Sequence, residues 1–511
     1  MILEPVLTSA PDWAVRHAAV LVVVVPMLLA PLLALSPSNR LAWILTVAGT
    51  AAAFWFSLIL LAIIQEVPGS AISYALGNWE PPIGIEFRVD ALNAMILVLI
   101  TGMGALASFI AWPTLAAEFK GERLNLLLCA FLLCFAGLAG VAATGDAFNL
   151  FVFLEVSSLA TYVLVAMGAG KDRRALPAAF SYLVMGTLGA SFYVIGIGLL
   201  YAATGTLNMA DIAEQMPGLS GNRSVQAGLA FILVGLGLKA AMWPLHQWLP
   251  NAYAYAPGFV SMFLSATATK VALYSLIRWL FTIFQPDRAF ESAVLQWVLA
   301  PLAMAAMVIC SVQAIFQTDV RRMLAYSSVA QVGYILLAIS VGTAAGVSAG
   351  LLHLFTHALM KGALFMAVAG ICFAYQGSTI RDFAGLGRSA PFTMAAFAIA
   401  GLSLIGVPLT AGFISKLQLG YALLDQGWWW AAVVLVFASF LSVIYIGRVL
   451  QAVFFEPPLN PRKNNKEAPL LLLIPLWILA LVNIFYGIDA GFPAGLAADG
   501  AAAALGLGAA Q

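Results

Sequence analysis

Gly350-Leu-Leu-His353-Leu-Phe-Thr-His357-Ala-Leu-Met-Lys361-Gly362 sets two imidazoles and an amine into an apolar run that extends over roughly 348–374. The three recur at i, i+4 and i+8, so in a helix they share one face. The run exceeds the ~20 apolar residues that cross a bilayer as a helix. It lacks the period-two alternation of a barrel strand. Ionisable groups at membrane depth are expensive, and their usual meaning is an ion path or a proton relay.

The rest of the chain has the same character. Of 511 residues, 63% are hydrophobic and 9% charged, with a mean hydropathy of +0.99. No soluble domain of this size can cover that much apolar surface, so the fold expected is an all-α polytopic membrane protein. The sequence divides into fourteen apolar segments, with span seven near 225–246, span eleven near 348–374 and span twelve near 391–420. Connections after odd-numbered spans hold thirteen Lys and Arg, including Lys120, Arg123, Arg462, Lys463 and Lys466. Those after even-numbered spans hold Arg88, Arg223 and Arg288. This asymmetry predicts odd connections in the cytoplasm and both termini outside. Cys129, Cys134, Cys310 and Cys372 all fall in apolar segments without a C-x-x-C pair and read as small buried hydrophobes. A net charge of +1 points to no nucleic-acid partner, and no phosphate loop or other cofactor motif is present.

Four further ionisable residues lie inside apolar segments: Glu155, Lys239, Lys270 and Lys416. Lys239 ends Gly228-Leu-Ala-Phe-Ile-Leu-Val-Gly-Leu-Gly-Leu-Lys239-Ala240, which aligns without gaps to the stretch at 350–362 and suggests an internal repeat. Helix breakers stand beside the lysines. Trp243-Pro244 interrupts span seven, Ala256-Pro257-Gly258 precedes Lys270, and Gly406-Val407-Pro408 interrupts span twelve ahead of Lys416. A proline frees a carbonyl at depth, which then needs another partner. Prolines and glycines are also simply frequent in membrane helices.

Glu155 needs a counter-charge or a proton, and Lys239 is its natural partner. Drawing the pair apart would let the lysine release its proton; a static salt bridge that only fixes packing is the alternative. His246 ends the broken span and is either an intermediate between Lys239 and Lys270 or a structural helix-end histidine. Two His with a Lys and no nearby acid form an inadequate metal ligand set. Lys416 is expected to end the relay. Asp146 shapes ion entry or caps a helix, and Ser327 and Tyr334 are auxiliary positions. Arg278 and Arg448 lie near span ends, from which they can snorkel, and read as structural.

Together these stretches resemble the antiporter-like proton-translocating membrane subunits shared by respiratory complex I and the Mrp cation/proton antiporters. The resemblance covers about residues 70–455 and includes Trp79 to Asp90, Asn149 to Glu155, Leu238-Lys239-Ala240, Pro244 to Pro250, Asp319 to Ser328, His353 to Lys361 and Gly401 to Lys416. The Gly-x-Trp-x-Pro-Pro-x-Gly-Ile stretch resembles the D-type branch of the Mrp subunits. The resemblance implies two inverted five-helix repeats with spans seven and twelve broken. It divides the chain into helices 1–3 (1–112), a first repeat (113–290), a second repeat (291–455) and helix 14 with a tail (456–511). It also implies a proton line through Glu155, Lys239, His246, Lys270, His353, His357, Lys361 and Lys416.

The expected function is proton conduction within a multisubunit Na+/H+ antiporter in a bacterial plasma membrane. Protons and Na+ are the ions, other membrane subunits and lipid are the partners, and no resident cofactor or metal is expected. The alternatives are a proton-pumping subunit of complex I or a related membrane hydrogenase, and an assembly scaffold with static ion pairs.

Overall fold

The long apolar runs form helices because only helices satisfy their own backbone in hydrocarbon. A computed structural model describes residues 3–118, 124–219, 221–285, 289–458 and 467–507. Lys120, Arg123, Arg288, Arg462, Lys463 and Lys466 lie outside the described residues. A short helix α1 (Glu4–Ser9) precedes α2 (Asp12–Ala34) and α3 (Asn39–Glu66). An antiparallel hairpin of β1 (Ile72–Ala75) and β2 (Glu86–Val89) follows, pairing Ile72 with Val89 and Ala75 with Glu86. Next come α4 (Ala91–Glu118), α5 (Leu124–Ala143), α6 (Ala147–Ala166), α7 (Ala175–Thr204) and the short α8 (Met209–Gln215). Then come α9 (Arg223–Lys239), α10 (Leu249–Tyr255) and α11 (Gly258–Ile277), and α12 (Ala289–Val294) runs through a π turn into α13 (Ala300–Ile315). The chain continues with α14 (Val320–Ser340), α15 (Ala344–Tyr375), the one-turn α16 (Leu386–Ser389), α17 (Pro391–Ile405) and α18 (Ala411–Asp425). It closes with α19 (Trp429–Phe455), α20 (Leu470–Ile488) and α21 (Gly491–Ala504).

Twelve helices among the described residues are long and apolar enough to cross a membrane. The two remaining spans of the sequence count are the interrupted ones, α9 with α10 and α17 with α18, whose halves are too short to qualify singly. The hairpin and α21 were not anticipated. The hairpin holds a short alternating pattern ahead of a long apolar run. The predicted tail beyond 490 instead carries an Ala- and Gly-rich helix that packs against α4 and α15.

The two halves are inverted copies, and their backbone hydrogen bonds display the relation directly. On the side of the molecule that carries the hairpin, Ala147 N donates to Leu207 O at 2.8 Å and Met209 N to Gly145 O at 2.9 Å. On the opposite side, Val320 N donates to Ser378 O and Ile380 N to Thr318 O, both at 2.8 Å. Asp146 and Asp319 cap α6 and α14 in the same way, accepting from the amides of Asn149 and Arg322. The α5–α6 corner therefore corresponds to the α13–α14 corner, and α9–α10 to α17–α18. This corrects the gapless match of 228–240 with 350–362, which joins α9 to α15, a helix that is not its counterpart. Sequences rich in Gly, Leu and Ala align by composition, and the true equivalence lies in the loops.

Candidate functional site

Each broken span places an amine beside freed backbone. Helix α9 ends at Lys239, because Ala241 adopts a positive φ of 55° and Pro244 has no amide hydrogen to give. Trp248 Nε1 donates to the Leu238 carbonyl at 2.9 Å and satisfies one acceptor at the break. Lys239 itself turns to α6, where its Nζ lies 3.1 Å from Glu155 Oε1 and 2.6 Å from Ser158 Oγ. The expected pair is thus present. The lysine is buried, while the Glu155 side chain is 23% exposed.

In the second break Gly406 takes φ 90° and Leu409 φ 69°. Gly412 lets α18 approach α17 closely, since a Cβ there would meet the Ser403 carbonyl at 1.9 Å. Lys416 donates to the carbonyls of Leu404 and Ile405, each at 2.9 Å, and lies 4.8 Å from the centre of the Tyr334 ring. Tyr334 in turn sits 5.5 Å from the His353 ring and shares a hydrogen bond with Ser439 at 3.1 Å.

His353 and His357 are fully buried, with parallel rings 6.3 Å apart. His353 is held by Ser415 Oγ at 2.9 Å and Gln331 Oε1 at 2.8 Å. Among the described residues, neither ring nitrogen of His357 has a hydrogen-bond partner. Leaving a buried polar atom unpaired costs about 1–3 kcal/mol. One turn further on, Lys361 donates to the Leu324 carbonyl at 2.7 Å and to Ser327 Oγ. Lys270, fully buried on α11, donates to the Ser265 carbonyl of its own helix.

The structure therefore brings together Glu155 with Lys239, and His357, His353, Tyr334 and Lys416 in one file, with Lys361 on Ser327. His246 hydrogen-bonds to neither Lys239 nor Lys270 among the described residues. It lies beside Cys310 Sγ (3.9 Å) and the Tyr326 ring, against α13 and α14. The reason is the break itself, which turns 240–248 away from the axis of α9. Asp146 caps α6 away from the lysines, and burial pushes its carboxyl up despite the amide hydrogen bonds of Asn149 and Phe148.

Two arginines near span ends are tied into the fold. Arg278 does not snorkel: it is buried and grips Asp90 through two hydrogen bonds of 2.6 and 2.8 Å. Arg448 donates to the Ile315 carbonyl at the end of α13. Asp90 was missed because it precedes the apolar run of α4; its signal was the Asp-x-x-Asn pattern Asp90 to Asn93, in which Asp90 caps the helix. The four cysteines are free, with Cys134, Cys310 and Cys372 buried.

Residues 144–442 match the family described as NADH:quinone oxidoreductase/Mrp antiporter, TM. The chain is 42% identical over 434 residues to NADH-quinone oxidoreductase subunit N of Desulforudis audaxviator, covering 83% of this chain and 85% of that one. It is 29% identical over 481 residues to the D subunit of the Na(+)/H(+) antiporter of Bacillus subtilis, covering 93% and 94%. Among solved structures it is similar to a chain of the membrane-bound sulfane sulfur reductase, an archaeal respiratory membrane complex, with a TM-score of 0.87, 31% identity and coverage of 96% and 97%. A chain of the Mrp complex from Dietzia superposes with a TM-score of 0.86 at 27% identity, with the same coverage.

Proposed function

Because this chain belongs to the NADH:quinone oxidoreductase/Mrp antiporter transmembrane family, we propose that it is the proton-conducting subunit of a multisubunit monovalent-cation/proton antiporter, with Na+ as the exchanged cation. The observation that carries this reading is the set of titratable side chains running through both inverted halves, from the half-buried Glu155 and the buried Lys239 through Lys270 to His357, His353, Lys361 and Lys416, all buried. We take 113–290 and 291–455 as the two functional halves, joined where α11 packs on α15.

A proton resides on Lys239 while Glu155 balances it. Moving the carboxylate away leaves the ammonium uncompensated in a low-dielectric interior and drives the proton toward Lys270. The imidazoles pass it on, each nitrogen accepting one proton as the other gives one up. Lys361 and Lys416, held by neutral oxygens, store and release it. The subunit works inside a hetero-oligomeric complex in the bacterial plasma membrane, and the asymmetry of basic residues supports an orientation with both termini outside. Any redox centre would belong to partner subunits.

The 42% identical relative favours a second reading, a proton-pumping subunit of a quinone-linked enzyme. Purification of the native complex separates the two. Small Mrp-type membrane subunits support the antiporter, and iron–sulfur or quinone-site subunits support the pump. The relay itself is tested by Lys239→Ala and Glu155→Ala in the assembled complex. Both are expected to abolish proton-coupled transport in everted vesicles while assembly survives; transport at the wild-type rate overturns the relay.

A further inference from the structure

Lys270, Tyr274 and Arg278 recur at i, i+4 and i+8 on α11 and its extension, the same spacing as the His353–Lys361 stripe on α15. The stripe starts at the buried lysine and climbs about 12 Å toward the hairpin side. Above the lysine its polar groups are tied to neighbouring elements. The Tyr274 hydroxyl donates to the Ala142 carbonyl at 3.2 Å and accepts from Arg278 Nε at 3.4 Å. Ala142 lies in the last turn of α5, where carbonyls lack helical partners, and it also accepts from Asn93 Nδ2 at 2.8 Å. Arg278 then closes on Asp90, which receives the amides of Leu92 and Asn93.

Beyond the ion pair the molecule is hollow. A cavity of about 730 Å³ has Asp90 and Arg278 in its wall, and Gln65, Arg88, Glu214 and Asp499 form an exposed rim. Its far wall is α21. Arg278 opens a π-helical turn, Arg278–Ile283, and such turns recur at functional sites in helices. An ion pair serving only as a staple between α4 and α11 needs neither the cavity, the tyrosine nor the π turn.

We propose that the Asp90–Arg278 pair gates a proton port connecting Lys270 with the hairpin side of the membrane, distinct from the stretch through Lys361 and Lys416. The port rests on the relay reading given above. The Lys270 ammonium, which in this structure donates toward Ser265, swings to Tyr274. Its proton joins the Tyr274 oxygen as the hydroxyl hydrogen, released from the Ala142 carbonyl, passes to Asp90. Asp90 becomes a neutral acid, Arg278 loses its counter-charge, and the pair opens. The acid then gives its proton to water in the cavity. One proton leaves Lys270 and one enters the cavity, with only N–H and O–H bonds exchanged.

The test measures proton-coupled transport per assembled complex in everted vesicles. Tyr274→Phe keeps the packing and removes the hydroxyl, and is expected to lower transport by about 100-fold with complex yield unchanged. Asp90→Asn is expected to lower transport per assembled complex likewise, together with a loss of stability from the stranded Arg278. Thr282→Cys, on the cavity wall, should react with a membrane-impermeant thiol reagent from the hairpin side, and the charged adduct should block transport. Lys239→Ala is the control. If it leaves transport intact, the relay reading fails. If it abolishes transport while Tyr274→Phe stays within about twofold of wild type, the port alone is overturned. Lower complex yield with unchanged transport per complex also overturns the port, as does labelling at position 282 without inhibition.

Discussion

The breaks at 240–248 and 406–410 expose the same kind of backbone and close it in different ways. In the first, a neutral indole takes the Leu238 carbonyl, which frees Lys239 to meet a carboxylate on another helix. In the second, Lys416 takes the Leu404 and Ile405 carbonyls itself, and no carboxylate faces it among the described salt bridges. At the first break charge is thus balanced by charge, and at the second by carbonyl dipoles. A buried ammonium opposite a carboxylate is held in one geometry, and its loss strands the partner. An ammonium on carbonyls can lose its proton and leave two neutral groups behind. Under the proposed relay, the first break holds a proton against a counter-charge and the second accepts one and releases it.

That difference should show most strongly at the ion pair. Glu155→Gln leaves Lys239 buried without its counter-charge and is expected to destabilise the assembled complex by about 3–5 kcal/mol. Pairing it with Lys239→Met should recover most of that loss, seen in thermal unfolding, while transport stays absent. A double variant no more stable than the single one would break the comparison. In the second half Lys416→Met removes a donor from two carbonyls and should cost less, about 1–3 kcal/mol, by the same measurement.

Two smaller effects sharpen the contrast. Gly406→Ala forces a Cβ onto φ 90° and to 3.0 Å from Lys416 Cδ, for an expected loss of about 1 kcal/mol. Asp90 supplies a pH signature for the ion pair on the hairpin side. Burial alone would raise its carboxyl, but the Arg278 charge, the Arg278 hydrogen bonds and the amides of Asn93 and Leu92 together hold it below its ordinary 3.8. A depressed folded value means that the stabilisation is complete above the unfolded value and is lost as pH falls through the folded one. Acid unfolding of wild type and Asp90→Asn should therefore differ at neutral pH and converge below about pH 3.8; a constant difference across that range would remove Asp90 from the stabilising pair.

Much of the architecture was legible before any coordinates, because the bilayer restricts what a chain can do. Continuous apolar runs had to be helices, Pro244 and Pro408 had to interrupt them, and Glu155 needed a cation. The i, i+4, i+8 spacing of His353, His357 and Lys361 put three titratable groups on one face. Apart from Lys239 with Glu155, pairings across the fold were not legible. His246 stood only seven residues beyond Lys239 in sequence, yet the broken helix turns it to α13 and α14. Arg278 looked like a span-end cation, and only its meeting with Asp90, distant in sequence, shows a buried pair. Helix α21 escaped because Ala and Gly carry little hydropathy signal, although they pack well where helices approach closely.

By itself the sequence determined that the chain is a many-helix membrane protein, where two of its helices break and which ionisable groups lie in apolar helices, since hydrophobicity and backbone satisfaction are local demands. The tertiary structure decided which of those groups meet. It set Lys239 on Glu155 and Lys416 on bare carbonyls, because the partner available to a buried charge depends on which helix packs beside it, and that choice is made by the whole fold.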